Sequence, residues 1–279
     1  MKLPPFELRA AESLEHALDV LASLGSDASV LAGGQSLLPL LRYRMARPHV
    51  LLDINRIASL SKVEASGDEL RIGALVRHWE LETLADGIAP SPLGSLLREH
   101  AHGIAFRPIR TRGTAVGSLV HADPKGDWPL AFLALDAQVE LASKRGVRRV
   151  AARDFITGPL QSDKSVDELA TAVILPRTSA LRRWGRAKLQ HRAGEYAMSS
   201  ALALETHRGW ECWLGAAGDK PFALPGLASL LKGTSTRRQL IDAATASLRD
   251  ALPDATDVER RRHAAVAADA AERAMKTRP

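Results

Sequence analysis

The sequence predicts an α+β protein built in two parts, and three observations lead to that class. Residues 1 to about 55 alternate short apolar strands with amphipathic helix in a β–α–β-like order. Residues 56–177 mix strands, helices and a hairpin, which makes them a second subdomain of the same part. From 178 to 279 the order changes to three strands followed by three helices, the pattern of an antiparallel sheet backed by helices. The division is placed at 177–180. It gives one domain over 1–177, with subdomains of about 1–55 and 56–177, and a C-terminal domain over 178–279.

The elements follow from local chemistry. Ser13 is placed to cap a helix over 13–24, Leu14, Ala17, Leu18, Leu21 and Leu24 share one face, and Gly25 stops it. A strand at Ser29–Leu31 leads into Ala32-Gly33-Gly34-Gln35-Ser36. A helix then starts at Leu37, with Ser36 as cap and Pro39 tolerated in the first turn. Val50–Ile54 reads as a buried strand, Leu70–Leu75 as another, and Ser91–Ala101 as a helix. Pro108–Ser118 is expected to be an irregular loop. Asp127 can cap a helix over Trp128–Leu135. Gln138–Leu141 and Val147–Val150 flank Lys144-Arg145-Gly146 as a hairpin, and Ala170–Leu175 is a strand ending at Pro176. Strands near 182–190, 197–205 and 210–216 precede helices at 226–232, 235–251 and 256–276.

Composition narrows the function. One cysteine, Cys212, excludes an intramolecular disulfide and a cysteine-ligated iron–sulfur cluster or zinc site within this chain. The start Met1-Lys2-Leu3-Pro4-Pro5-Phe6-Glu7 has no signal-peptide apolar run, and no stretch approaches the ~20 apolar residues of a membrane span. A soluble cytoplasmic protein is expected. The net charge of +6 lies in clusters at Lys144–Arg153, Arg182–Arg192 and Arg260–His263. With aromatics at only 4% and no basic–aromatic alternation, nucleic-acid binding is a distant reading. His121 and Asp123 lack a third ligand at metal-site spacing, so no metal is expected.

Two glycine-bearing segments carry the chemistry. Gly33 and Gly34 let a diphosphate approach the backbone, and the helix after them presents free N–H groups. Ser36 can cap that helix or donate to a phosphate; an ordinary strand-to-helix turn would use the same residues. The second segment, Thr114-Ala115-Val116-Gly117-Ser118, offers Thr114 and Ser118 as donors, with Asp123 and Asp127 beyond. Asp127 can accept from a ribityl or ribose hydroxyl, or simply cap its helix. Neither segment is the G-x-G-x-x-G of a Rossmann fold, so the pair suggests a dinucleotide held by another architecture.

Taken together, these residues resemble a known family. Leu31-Ala32-Gly33-Gly34-Gln35-Ser36-Leu37-Leu38-Pro39, then Arg47-Pro48 and Leu52-Asp53-Ile54, are similar to the first FAD-binding motif of the medium, flavin-carrying subunit of molybdenum hydroxylases. This is the family of carbon monoxide dehydrogenase and of the FAD domain of xanthine dehydrogenase. Ile109-Arg110, Gly113-Thr114, Gly117-Ser118, Ala122-Asp123-Pro124 and Asp127 resemble its second motif without a gap. Lys188 and Gly194-Glu195-Tyr196-Ala197 look like its C-terminal elements near the flavin. The likeness covers nearly the whole chain.

The resemblance implies a vanillyl-alcohol-oxidase-type FAD-binding fold, two α/β subdomains gripping FAD, with a C-terminal antiparallel-sheet-plus-helices domain. It implies an electron-transfer subunit between a [2Fe-2S] small subunit and an external acceptor. A molybdopterin large subunit would oxidise substrate, the whole being a dimer of heterotrimers. The backbone of Ala32–Ser36 and Thr114–Ser118 would meet the pyrophosphate, and Asp127 the cofactor hydroxyls. Lys188 would lie near the isoalloxazine and Tyr196 would shield it; a surface lysine and a core tyrosine are the alternatives. No catalytic acid–base pair is required.

One position departs from the family. Val116 stands where the second motif normally has the first glycine of a pair. A β-branched residue at positive φ would be strained by about 1–3 kcal/mol, which corresponds to roughly ten- to a hundredfold in FAD affinity; the alternative is that the side chain points away, Ala115 making room for it, and the amide still reaches a phosphate. Val116 therefore motivates an alternative, an FAD-free scaffold subunit.

Overall fold

The computed structural model describes residues 3–89, 91–177 and 181–277. The chain folds around three principal sheets. In the first, β1 (Glu7–Ala10), β2 (Ala28–Leu31) and β3 (Val50–Asp53) run parallel with β3 in the middle. β1 is an element that sequence patterning leaves out. Its Leu8 is exposed, so alternation gives little sign of it. Helix α1 (Leu14–Leu24) has Ser13 as its cap, the hydroxyl accepting from His16 N, and ends at Gly25 with φ 52°. Helix α2 (Leu37–Arg42) follows β2 directly.

The second sheet is antiparallel, in the order β4 (Val63–Ser66), β5 (Glu69–Gly73), β10 (Leu169–Pro176), β6 (Gln138–Ser143), β7 (Gly146–Ala151). Between β5 and β6 the chain makes α3 (His78–Ile88), α4 (Leu93–His102), α5 (Arg107–Arg110), α6 (Ala115–His121) and α7 (Asp127–Ala134). A short α8 (Ala152–Phe155) and a two-stranded ribbon, β8 (Ile156–Gly158) with β9 (Gln161–Ser162), lead into β10. The expected loop over Pro108–Ser118 is thus mostly helical: α5 occupies its start and α6 its end. Small residues there looked like loop, but Thr114 supplies a helix cap and Ala115, Val116 and Leu119 turn their side chains into the core.

The third sheet, β11 (Leu181–Gln190), β12 (Ala197–Thr206), β13 (Gly209–Gly215) and β14 (Phe222–Ala223), is an antiparallel meander. It is followed by α9 (Pro225–Leu230), α10 (Arg237–Ala251) and α11 (Asp257–Lys276). Thr236 and Thr256 form capping boxes with Gln239 and Glu259, which fixes where the last two helices begin. The sheet is covered on both faces. Ala201 and Ala203 pack with the helices, while Leu202 and Leu204 join the main core of the chain. The division foreseen at 177–180 falls largely on residues 178–180, outside the described residues.

The Lys144–Arg153 cluster is largely neutralised within the chain. Lys144 pairs with Asp19, Arg145 with Asp167, Arg148 with Asp163 and Glu168, Arg149 with Glu69, and Arg153 with Asp136.

Candidate functional site: a cleft between the glycine segments and the C-terminal sheet

β2 ends at Leu31 and the chain turns through Ala32–Ser36, with Gly34 at φ 74°. The ladder of α2 begins at Leu38, whose N–H donates to Gly34 O at 3.0 Å, so the N–H groups before it lie outside the helix. Ser36 occupies the cap position, but its hydroxyl makes no capping bond and stays available. Asn55 braces the turn from below. Its Nδ2 donates to Ala32 O at 3.0 Å and to Leu31 O at 3.3 Å.

The chain just before the second segment meets the first directly. A Cβ on Gly33 would lie 2.3 Å from Arg112 O and 2.8 Å from Gly113 Cα, so only glycine permits this contact. Thr114 caps α6, its Oγ1 accepting from Gly117 N at 3.1 Å. Val116 is the second residue of that helix, 1% exposed, and is not among the residues of positive φ. The strain expected of a valine here does not exist, because the backbone is helical and the side chain belongs to the core.

A buried charge cluster sits at the other end. Asp127 is the first residue of α7 and does not cap it; Gly126 holds the cap position without a side-chain bond. The Asp127 carboxylate instead lies 2.8 Å from Lys188 Nζ and 3.0 Å from Arg186 Nη2. Lys188 Nζ also donates to Gly103 O at 3.1 Å. Burial by itself would raise the Asp127 carboxyl. The Lys188 ammonium and Arg186 guanidinium more than offset it and hold the group below the usual carboxylate range. One carboxylate against two cations leaves one positive charge at this end.

Behind Asp127 a group of buried rings packs together. Trp128 stacks on Phe132, with ring centroids 5.0 Å apart, and contacts the rings of His78 and His100. His100 Nε2 lies 2.7 Å from Asp127 O, and burial brings its pKa down to about 4.

The two glycine segments, Asp127, Lys188 and His78 face one cleft of about 700 Å³. Ala32, Gly33, Gly34, Gln35, Ser36, Thr114, Val116, Gly117, Ser118, Asp123, Asp127, Lys188 and Tyr196 all line it. Lys188 is buried and not a surface lysine, its side chain 7% exposed, while Tyr196 is 58% exposed and not a core tyrosine. Asp123 Oδ1 accepts from Lys125 N at 2.9 Å. Among the described residues, no three or more His, Cys, Asp or Glu gather to hold a metal. The cleft also takes in His78, Phe106, Lys164 and Leu169, which sequence reasoning missed. No motif marks them; they reach the cleft only through the packing of α3, the segment after α4, the segment before β10 and the first residue of β10.

Residues 4–178 match the sequence family described as the FAD binding domain in molybdopterin dehydrogenase. The nicotine 6-hydroxylase medium subunit of Paenarthrobacter nicotinovorans is 33% identical over 263 residues, covering 92% of this chain and 91% of that protein. The carbon monoxide dehydrogenase medium chain of Afipia carboxidovorans is 31% identical over 246 residues, covering 86% and 84%. Among solved structures, a chain of quinoline 2-oxidoreductase from Pseudomonas putida 86 superposes with a TM-score of 0.87 at 29% identity, covering 99% of each chain.

Proposed function

The chain belongs to the family of FAD-binding domains of molybdopterin dehydrogenases, and from that premise we propose that it is the FAD-carrying electron-transfer subunit of a multi-subunit molybdenum hydroxylase. The observation that carries this reading is the convergence of both glycine segments with Asp127, Lys188 and Tyr196 on one cleft. At about 700 Å³ the cleft is of cofactor size. Its donor set suits FAD. One end offers main-chain N–H groups outside the helix ladders and the hydroxyls of Ser36 and Ser118, a wall for a pyrophosphate. The other offers a fixed cation and an aromatic side chain for a ring system.

FAD, when bound, supplies the redox chemistry, and the protein supplies grip, orientation and charge. Ala32–Ser36 and Thr114–Ser118 would hold the pyrophosphate, and Asp123 and Asp127 polar groups of the cofactor. Asp127 takes a further duty, since its carboxylate holds the Lys188 ammonium in place. Tyr196 would shield the ring. The two-domain division at 177/178 remains part of the proposal.

We place the electron donor on a separate [2Fe-2S] subunit, because Cys212 is the chain's one cysteine and is buried. Substrate oxidation falls to a molybdopterin large subunit, in a cytoplasmic dimer of heterotrimers. Among the described residues, no helix is long and apolar enough to cross a membrane. The FAD-free scaffold loses its motive, since Val116 is unstrained.

Purification of the chain, alone and with its partner subunits, tests the reading through its visible spectrum. A flavin spectrum, or its appearance on adding FAD, is the expected result. Colourless protein that takes up no FAD overturns it.

A further inference from the structure

His78 lies at the seam between the two ends of the cleft, and the surrounding chain determines which nitrogen carries its proton. Its main chain is bound to the second glycine segment, His78 N donating to Gly113 O at 3.0 Å. The residue is 5% exposed, and its Nδ1 accepts from Trp128 Nε1 at 3.0 Å. An indole N–H can only donate, so Nδ1 must present its lone pair and the proton must sit on Nε2. Burial, reinforced by Arg77 and Arg110 and opposed by Asp127, brings the His78 pKa down to about 4, so the ring is neutral at physiological pH.

Nε2 faces Gly113: a Cβ at that position would lie 2.6 Å from it. His78 and Gly113 both line the cleft, and among the described residues no group accepts from Nε2. An N–H donor of fixed tautomer, on a residue that borders a cleft, is suited to an acceptor on a ligand.

We propose that His78 is a ligand-contacting residue of the cleft, giving one hydrogen bond from Nε2–H to an acceptor oxygen of the bound dinucleotide. Trp128 is the positioning residue that fixes its tautomer. The inference rests on the FAD reading above and adds two residues that neither glycine segment contains.

Flavin-stripped full-length chain titrated with FAD, followed by flavin fluorescence, tests it. His78→Phe, which keeps a ring and removes the donor, is expected to bind FAD about two- to tenfold more weakly, the worth of one neutral hydrogen bond. His78→Gln, whose amide can accept from Trp128 and still donate, is expected to recover most of that loss. In wild-type protein labelled with ¹⁵N-histidine, the His78 signal is expected to show an Nε2-protonated ring whose N–H resonance moves on adding FAD. This signal needs no variant to fold. Failure of the wild-type chain to bind FAD overturns the functional reading and this inference with it. Wild-type binding with unchanged affinity in His78→Phe, or an unmoved Nε2–H resonance, overturns the inference alone.

Discussion

Lys188 Nζ lies 2.8 Å from Asp127 Oδ2, joining a strand of the C-terminal sheet to the first turn of α7 at the inner end of the cleft. Arg186 completes the cluster from two residues earlier on the same strand. Asp127 is its centre, and the two cations depend on it unequally. Asp127→Asn leaves both cations buried without a counter-charge and is expected to cost about 3–5 kcal/mol. Lys188→Met gives up the bonds to Asp127 and Gly103 O but leaves Asp127 paired with Arg186, so no buried charge stands alone and the expected cost is less, about 1.5–3 kcal/mol. Urea unfolding of the two variants compares these values. Equal losses would show that Asp127 is not the centre of the cluster.

Lys188→Met should also separate electrostatics from affinity. The Asp127 cluster loses its excess positive charge beside the cleft, so negative charge added to a flavin ring there becomes less favourable. The flavin potential is expected to fall by on the order of tens of millivolts, about 30 mV corresponding to 1.4 kcal/mol for a two-electron couple. FAD affinity should change little. Spectroelectrochemical titration beside a binding isotherm measures both, and a large affinity loss at unchanged potential would make Lys188 a binding residue instead.

Gly33→Ala is expected to damage the site at its other end. The added methyl group would press on Arg112 O and Gly113 Cα, both main-chain atoms that cannot swing aside. The two glycine segments must then move apart, lowering both FAD retention and thermal stability. An alanine variant that keeps its flavin through gel filtration would show that the contact is dispensable.

Val116 shows where sequence reasoning succeeds and where it stops. Ser13, Gly25 and the hairpin at 144–146 speak through local chemistry, and the structure places them as expected. The glycine segments announce a cleft because glycine is rarely spent twice in similar surroundings without a reason. Thr114 as a cap is harder to see, since its partner is the main chain of Gly117 and small residues resemble loop. His78, Asn55 and Phe106 carry no motif at all, and only tertiary packing brings them to the site. The test is direct. Val116→Gly removes a buried side chain and puts glycine in a helix, for a loss of about 2–4 kcal/mol from burial and helix propensity together. Flavin retention is expected not to improve. Tighter FAD binding in the glycine variant would restore the idea of a strained valine.

His100 predicts how stability depends on pH. Its pKa is brought down to about 4, first by burial and then by Arg186, with Asp127 working in the opposite sense. Its Nδ1 has no hydrogen-bond partner among the described residues, so a proton added there would meet no acceptor. The unfolded chain takes up that proton near the ordinary value of about 6.5. Between pH 6.5 and 4 the unfolded state therefore binds more protons than the folded one, and stability falls as pH falls. The contribution is whole above pH 6.5 and lost by about pH 4, amounting to roughly 3 kcal/mol. Asp127 acts in the same direction but lower, because its folded pKa lies beneath the usual carboxylate range, so the interval from pH 6.5 to 4.5 reports mainly on histidine. Urea unfolding at pH 7.5 and 4.5 should show a steep loss in the wild-type chain. His100→Gln keeps a donor for Asp127 O but cannot titrate, and its loss over the same interval is expected to be smaller by a large part of that amount. An identical pH dependence in the two proteins would mean that His100 already carries its proton in the folded state.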